Sequence, residues 1–281
     1  MHIDDGKTRF IEAGGLSFAW QRYGTTTAPA LVLVRGLGTQ LIEWSPALLD
    51  GLVAGGLQVI IFDNRDVGRS SRLKEDYPLS AMAADVANLT DALGIDRFHL
   101  LGISLGGMIA QLTAVEYPDR VRSLISIMSS SGDPSLPRPP RESAQRLRVS
   151  ADTRAEAIDL DVENRAYWGS PAYPETVAVR RAMAEAVYNR AHDPEGVARQ
   201  MRAAIADGDR TERLNNLTLP ALVIHGAEDV LVMPAAGEAT ARAIPGAAFE
   251  LVPGMGHNIP AGLAPVIAGH VLKFLRSHNF C

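Results

Sequence analysis

Three residues spread along the chain have the types and order that acyl transfer requires. Ser104 lies in Gly102-Ile103-Ser104-Leu105-Gly106, a match to G-x-S-x-G. An apolar run precedes it and an amphipathic pattern follows, which predicts a strand-to-helix turn at the serine. Such a turn lifts the hydroxyl above the sheet edge, and bulky side chains two positions either side would collide with the neighbouring strand and helix. The Leu105 N–H then falls at a helix N-terminus, where unpaired donors and the helix dipole favour an oxyanion. A serine hydroxyl needs a base, and the base needs an acid to orient it. Asp229 follows the apolar run "LPALVIHG", and His257 sits in the glycine-flanked "PGMGHN" after the next run. Both positions are carboxyl ends of strands, where open α/β sheets place their sites.

Other residues compete for these roles. Asp133 also follows a strand and is the second choice for the acid. Glu228 adjoins Asp229 and reads as a solvated turn residue. His225 ends a strand and can serve there by packing or hydrogen bonding. His99 and His270 read as core or boundary histidines, and His2, His192 and His278 as peripheral. His225, Asp229 and His257 have the composition of a two-His, one-carboxylate metal set, but no H-E-x-x-H helix accompanies them and Ser104 would be left idle.

The stretch "RGLG", Arg35 to Gly38, admits two readings. Gly36-Leu37-Gly38 supplies the first two glycines of a dinucleotide fingerprint, and Asp63 stands where a ribose-binding acid could be. The third small residue is missing, because Leu41 occupies its place. Alternatively, the glycines let the backbone approach a reacting carbonyl, and the Leu37 N–H becomes a second oxyanion donor beside Leu105. That reading uses Ser104, Asp229 and His257 as well.

The elements that must carry these residues alternate. Strand signals occur at Leu16–Gly24, Ala30–Val34, Leu57–Asp63, Arg97–Ile103 and Val121–Ser130. Between them lie a helix pattern with Leu41, Trp44, Leu48, Leu49 and Leu52, one with Ser80 as N-cap and Met82, Val86 and Leu89 on its face, and one carrying Leu105, Met108, Ile109 and Leu112. Buried strands alternating with helices predict an α/β fold with a mostly parallel sheet covered on both faces. The alternation stops at Asp133. Pro- and Arg-rich sequence and helical stretches follow, with Asp193-Pro194 as a helix start. Strands return at Leu219–Gly226 and Ala247–Gly254, before a last helix. The expected division is a core of 1–132 and 213–281 interrupted by a helical cap, 133–212. Tyr167, Trp168, Tyr173, Met183 and Tyr188 of that cap are candidates to line a pocket or to bury the cap on the core.

Composition excludes several classes. A net charge of −5 and a pI near 5.8 leave no electrostatic footprint for nucleic acid. Phe98–Val115 has 18 residues without Asp, Glu, Lys or Arg, but its internal glycines and polar residues read as strand, turn and helix and not as a membrane span. The one cysteine, Cys281, permits no intrachain disulfide, and "MHIDDGKTRF" has no signal-peptide pattern. A cytoplasmic setting is expected.

Over nearly its whole length the chain resembles the α/β-hydrolases with a helical cap. The residues that carry the resemblance are Gly36-Leu37-Gly38, "FDNRDVGRS" (Phe62–Ser70), "GISLGG", "HGAED" and "GMGH". The "DNRDVGRS" and "RGLG" turns are similar to those of the aclacinomycin methylesterase-like carboxylesterases. The resemblance implies attack of Ser104 on a small-molecule ester, an acyl-enzyme and its hydrolysis by water, without cofactor or metal. The same residues would also serve lactone, thioester, amide or carbon–carbon cleavage, perhydrolysis, or a ligand receptor on this scaffold. Two departures stand out. Arg35 precedes Gly36 where many relatives have histidine, and Arg65-Asp66-Val67-Gly68 replaces Arg-Gly-x-Gly. Asp63, Arg65 and Asp66 are expected to scaffold their turn.

Overall fold

The computed structural model describes residues 8–149 and 151–280. Cys281, His2 and the first seven residues lie outside the described part. One sheet of eight strands organises the molecule, in the order β1-β2-β4-β3-β5-β6-β7-β8. The strands are β1 (Arg9–Ala13), β2 (Leu16–Tyr23), β3 (Ala30–Val34), β4 (Gln58–Phe62), β5 (Phe98–Ile103), β6 (Val121–Ile127), β7 (Ala221–Gly226) and β8 (Ala248–Val252). β1 and β2 run antiparallel to their neighbours, and all the pairs from β4 to β8 are parallel.

The inner strands are β-branched and leucine-rich because both of their faces are covered. In β3, Val32 and Val34 point into one core, with Met82, Val86 and Leu89 of α2 (Leu79–Ala92) and Ile109 and Leu112 of α3 (Leu105–Glu116). Leu31 and Leu33 point into the other, with Leu48 and Leu52 of α1 (Pro46–Ala54) and Ile267 and Val271 of α10 (Ala264–Ser277). The period of two along the strand thus joins both cores through one backbone.

Parallel register aligns the strand ends. Val34 pairs with Gly102, Ile103 with Ile127, Ile127 with Ile224, and Gly226 with Val252. The loops after β3, β5, β7 and β8 therefore leave from one edge. The chain turns outward from β3 to β4 on one side and crosses to β5 on the other, so the order reverses between β3 and β5. Crevices open at such switch points. Leu37 and Ser104 follow the two strands that flank this one.

Between β6 and β7 the chain makes its helical excursion: α4 (Arg141–Arg146), α5 (Arg154–Tyr167), α6 (Val177–Arg190), α7 (Pro194–Asp207) and the short α8 (Thr211–Leu214). Local sequence starts these helices. Thr153 and Glu156 form a reciprocal capping box on α5, and the Asp193 carboxylate accepts from the Gly196 N–H with Pro194 at the first helical position of α7. The excursion leaves and rejoins the core side by side, where the Arg210 N–H donates to the Ser131 carbonyl at 2.8 Å. Helix α9 (Pro234–Ala243) packs outside β7 and β8.

Four local expectations need correction. α2 starts at Leu79 after Pro78, so Ser80 is inside the helix and not its cap. The Leu41–Leu52 pattern is two elements: a single 3-10 turn, Leu41–Glu43, and then α1, with Trp44 between them, because Pro46 starts a new helix. The strand expected over Val121–Ser130 ends at Ile127, since Met128 has φ +44°. β1 was not anticipated; it is an edge strand with mostly exposed side chains and no apolar run.

Candidate active site

Ser104 sits between β5 and α3 with φ +54° and ψ −124°, a conformation that costs a non-glycine residue on the order of 1–3 kcal/mol. The surroundings hold it there. The Ser104 N–H donates to the Ile127 carbonyl at 3.0 Å, and its own carbonyl accepts from Gly107 N–H at 2.9 Å and from the Ser129 hydroxyl at 2.7 Å. The flanking glycines are obligatory. A Cβ on Gly102 would stand 2.0 Å from the Gly106 carbonyl oxygen, and one on Gly106 would stand 2.2 Å from that of Val34.

His257, in the loop after β8, brings Nε2 to 3.0 Å from Ser104 Oγ and Nδ1 to 2.7 Å from Asp229 Oδ2. Asp229 is fully buried, while Ser104 and His257 are half-buried. The carboxylate's other oxygen accepts from the Leu231 and Val232 N–H groups at 2.8 and 3.0 Å. An anionic acceptor at Nδ1 requires that nitrogen to carry its proton, which leaves the Nε2 lone pair facing the serine hydroxyl. Burial alone would raise the Asp229 pKa. The charges and hydrogen bonds of His257 and His225 outweigh it and hold the carboxyl below the usual carboxylate range.

The backbone facing the serine from the β3 loop is equally defined. A Cβ on Gly36 would come within 3.1 Å of Ser104 Cβ, so the Gly36 backbone lies against the serine. Gly36 opens a turn in which its carbonyl accepts from Thr39 N–H and Thr39 Oγ1, at 3.3 and 2.9 Å, and Gly38 has φ +66°. Neither the Leu37 N–H nor the Leu105 N–H has an acceptor among the described residues. The turn leads into the 3-10 turn Leu41–Glu43 and not directly into an α-helix that could receive a pyrophosphate.

Arg35 is engaged by the turn that follows it. Its guanidinium lies 4.8 Å over the Trp44 ring, donates to Thr39 Oγ1 at 3.2 Å and to the Glu43 carbonyl at 3.3 Å, and stands 4.0 Å from the Glu43 carboxylate. Burial lowers its pKa to about 10, against the charge of Glu43, so it remains a cation at neutral pH. Asp63 accepts from Leu41 N–H and Arg69 N–H and pairs with Arg190 at 2.7 Å; Arg65 holds Asp85, and Asp66 holds Arg199. These contacts brace the turn and tie it to α2, α6 and α7.

The competing residues lie elsewhere or do other work. Asp133 accepts from Ser135 N–H in a local turn, and Glu228 is exposed. His225 Nε2 lies 2.8 Å from the Val232 carbonyl and 3.4 Å from Asp229 Oδ2, so hydrogen bonds join the residues that could have formed a metal set. Among the described residues no group of three or more His, Cys, Asp or Glu is disposed to hold a metal ion, and no helix is long and apolar enough to cross a membrane.

A family model described as alpha/beta hydrolase fold matches residues 29–261. The chain is an alpha/beta hydrolase. This hydrolase is 29% identical over 248 residues to a protein of Caulobacter sp. (strain K31) named as a carbamate hydrolase, RutD, covering 87% of this chain and 90% of that one. It is 26% identical to rhodomycin D methylesterase DnrP of Streptomyces peucetius, over 96% and 98% of the two chains. The solved structure of the enol-lactonase from Burkholderia xenovorans LB400 matches with a TM-score of 0.80 at 26% identity, covering 95% of this chain and 100% of that one.

Further residues, which the sequence does not single out, contact this cluster. Ser129 braces the Ser104 carbonyl. Ser170, in the segment after α5, accepts from Gly256 N–H and donates to Asn258 Oδ1, and the Trp168 carbonyl accepts from His257 N–H at 2.7 Å. The excursion therefore grips the histidine loop. Only His225 had a legible signal, its four-residue spacing before Asp229. The aromatic residues are half-buried and engaged nearby: Trp168 Nε1 donates to Ser143 Oγ, Tyr167 lies under Arg146, Tyr188 stacks on His192, and Tyr173 packs against the core.

Proposed function

We propose that this chain is a serine hydrolase of carboxylic esters, with Ser104 as nucleophile, His257 as general base and Asp229 as the orienting acid. The observation that carries this reading is the unbroken pair of contacts from Ser104 Oγ through His257 to a buried, ionised Asp229. His257 takes the serine proton as Oγ attacks the ester carbonyl, and the N–H groups of Leu37 and Leu105 receive the developing oxyanion. His257 then protonates the leaving alcohol, and the acyl-enzyme forms. Water deprotonated by His257 releases the acid and restores the serine. Residues 133–212 act as a cap that bounds the substrate site. The scheme uses no metal or cofactor.

The names of the relatives favour a second arm within the same chemistry, in which the acyl group is that of a lactone or a carbamate. One experiment separates the readings. Wild type is treated with a fluorophosphonate and assayed on p-nitrophenyl esters of increasing acyl length, on methyl esters, on lactones and on carbamates. Labelling at Ser104 with multiple turnover of an ester is expected, and Ser104→Ala should lose both. An unlabelled wild type, or a fully active Ser104→Ala, would sink the mechanism; labelling with binding but no turnover would mark a receptor.

A further inference from the structure

We propose that Gln200, on α7, is the positioning residue for the oxyanion turn. The inference rests on the serine hydrolase reading above and adds a residue to its machinery. Leu37 can donate to an oxyanion only if the turn Gly36–Thr39 keeps one orientation. The Gly36–Leu37 peptide carries the Leu37 N–H, and its carbonyl is held by Thr39 only across the closed turn, so its tilt depends on the rest of the turn keeping its form. The next peptide, Leu37–Gly38, is the one that inverts when a turn of this kind changes type, and the positive φ of Gly38 matches only one of the two forms.

Gln200 selects that form. Its Oε1 accepts from the Gly38 N–H at 3.0 Å, while its Nε2 donates to the Arg65 carbonyl at 2.8 Å. The two ends of the amide are thus used, and their partners, one donor and one acceptor, leave only one way round for the group. The side chain is completely buried. The same helix supplies Val197, whose Cγ2 would lie 2.9 Å from a Cβ on Gly38, so the turn is enclosed from above. Neighbouring α6 adds a second hold, because Gln40 Nε2 donates to the Val187 and Ala191 carbonyls at 2.9 Å each. A flipped Leu37–Gly38 peptide would leave the Gln200 oxygen facing a carbonyl and without a donor, an arrangement that buried polar groups avoid.

The test compares two substitutions on the best p-nitrophenyl ester of the wild type. Gln200→Met keeps the length of the side chain and loses both hydrogen bonds. It is expected to lose kcat about 10- to 100-fold with KM within about threefold, and to bind a serine-directed boronic acid more weakly by the same factor as kcat/KM, since that adduct also presents an oxyanion. Gln200→Glu keeps an acceptor for Gly38 but turns its second oxygen toward the Arg65 carbonyl, and should lose about three- to tenfold. An unchanged kcat, a loss confined to KM, unchanged boronate affinity, or a smaller loss in Gln200→Met than in Gln200→Glu overturns the assignment. Should Gln200→Met not fold, Gln200→Glu is judged by the same kcat, KM and boronate criteria. A wild type that neither labels with fluorophosphonate nor turns over an ester removes the hydrolase reading and this inference together. An active, labelled wild type with an unaffected Gln200→Met removes this inference alone.

Discussion

His225 Nε2 stands 3.4 Å from Asp229 Oδ2, the oxygen that His257 Nδ1 reaches at 2.7 Å. Two imidazoles therefore share one carboxylate oxygen. His225 also donates to the Val232 carbonyl, so it ties the acid to the strand end that delivers it. Replacing it with Phe should slow fluorophosphonate labelling about tenfold, whereas Asp229→Asn should lower kcat about 10³- to 10⁴-fold by permitting the wrong tautomer of His257. An unchanged labelling rate in His225→Phe would mean that the Leu231 and Val232 amides hold Asp229 unaided.

The glycines beside Ser104 should separate catalysis from folding. Gly36→Ala introduces a methyl 3.1 Å from Ser104 Cβ and 3.6 Å from its Oγ, a contact that a shift of tenths of an ångström relieves. It should fold normally and lose about 10²-fold in labelling rate, because small displacements at the reacting atoms are costly. Gly106→Ala places its methyl against two backbone carbonyls, of Val34 and Arg35, which cannot move aside. Soluble expression and circular dichroism should fail for Gly106→Ala alone. A well-folded Gly106→Ala would contradict this packing.

Glu43 is buried between two arginines. Arg165 of α5 reaches its Oε1 at 2.6 Å, and Arg35 stands at 4.0 Å. The cations hold the Glu43 carboxyl below its ordinary range although burial pushes it up. Removing Arg165 alone strands a buried charge, so Arg165→Met should cost about 2–3 kcal/mol in urea unfolding, less than a fully enclosed pair because the arginine is partly exposed. The double substitution with Glu43→Gln should cost less than the sum of the singles; strict additivity would show that the pair is uncoupled.

His99 makes the stability depend on mild acid. It lies in β5, its Nδ1 2.8 Å from Ser123 Oγ, its ring against Phe280, and its Nε2 without a partner among the described residues. Burial, with a smaller contribution from Arg122, lowers its pKa to about 4. The unfolded chain takes up the proton near the ordinary value of 6.5, well before the native state does. The stabilising contribution is therefore complete above that value and is lost as pH falls from 6.5 toward 4, amounting to on the order of 3 kcal/mol. The melting temperature of wild type should fall over this window more steeply than that of His99→Gln; parallel curves would refute the assignment.

Much of this was legible because the informative patterns are local. The β3, β5 and β7 runs are buried on both faces and therefore apolar throughout, and G-x-S-x-G at the end of β5 sets Ser104 on its turn by backbone sterics alone. Asp229 and His257 could be picked out because each directly follows a sheet strand. The failures are also physical. β1 is an edge strand whose exposed side chains leave no hydrophobic record. Leu41 through Leu52 has helical spacing in both of its pieces, and only Pro46 marks the break. Arg35 was unreadable because its direction is set by Trp44 and Glu43 after folding. Gln200 left no trace, since its two partners, Gly38 and Arg65, are far away in sequence and both are backbone groups, which any residue type provides.

The Ser131 carbonyl and the Arg210 amide meet where the helical excursion departs and returns. A stretch mounted through so narrow a doorway can be exchanged for another without altering the order of the strands. It could not be exchanged here as a passive gate. The segment that such a graft would replace also carries Trp168, Ser170 and Gln200, which grip the turns below. Under the proposed mechanism, swapping it for a new selectivity would reset the alignment of Ser104 and His257 as well, so that changes of substrate and of rate would be inherited together.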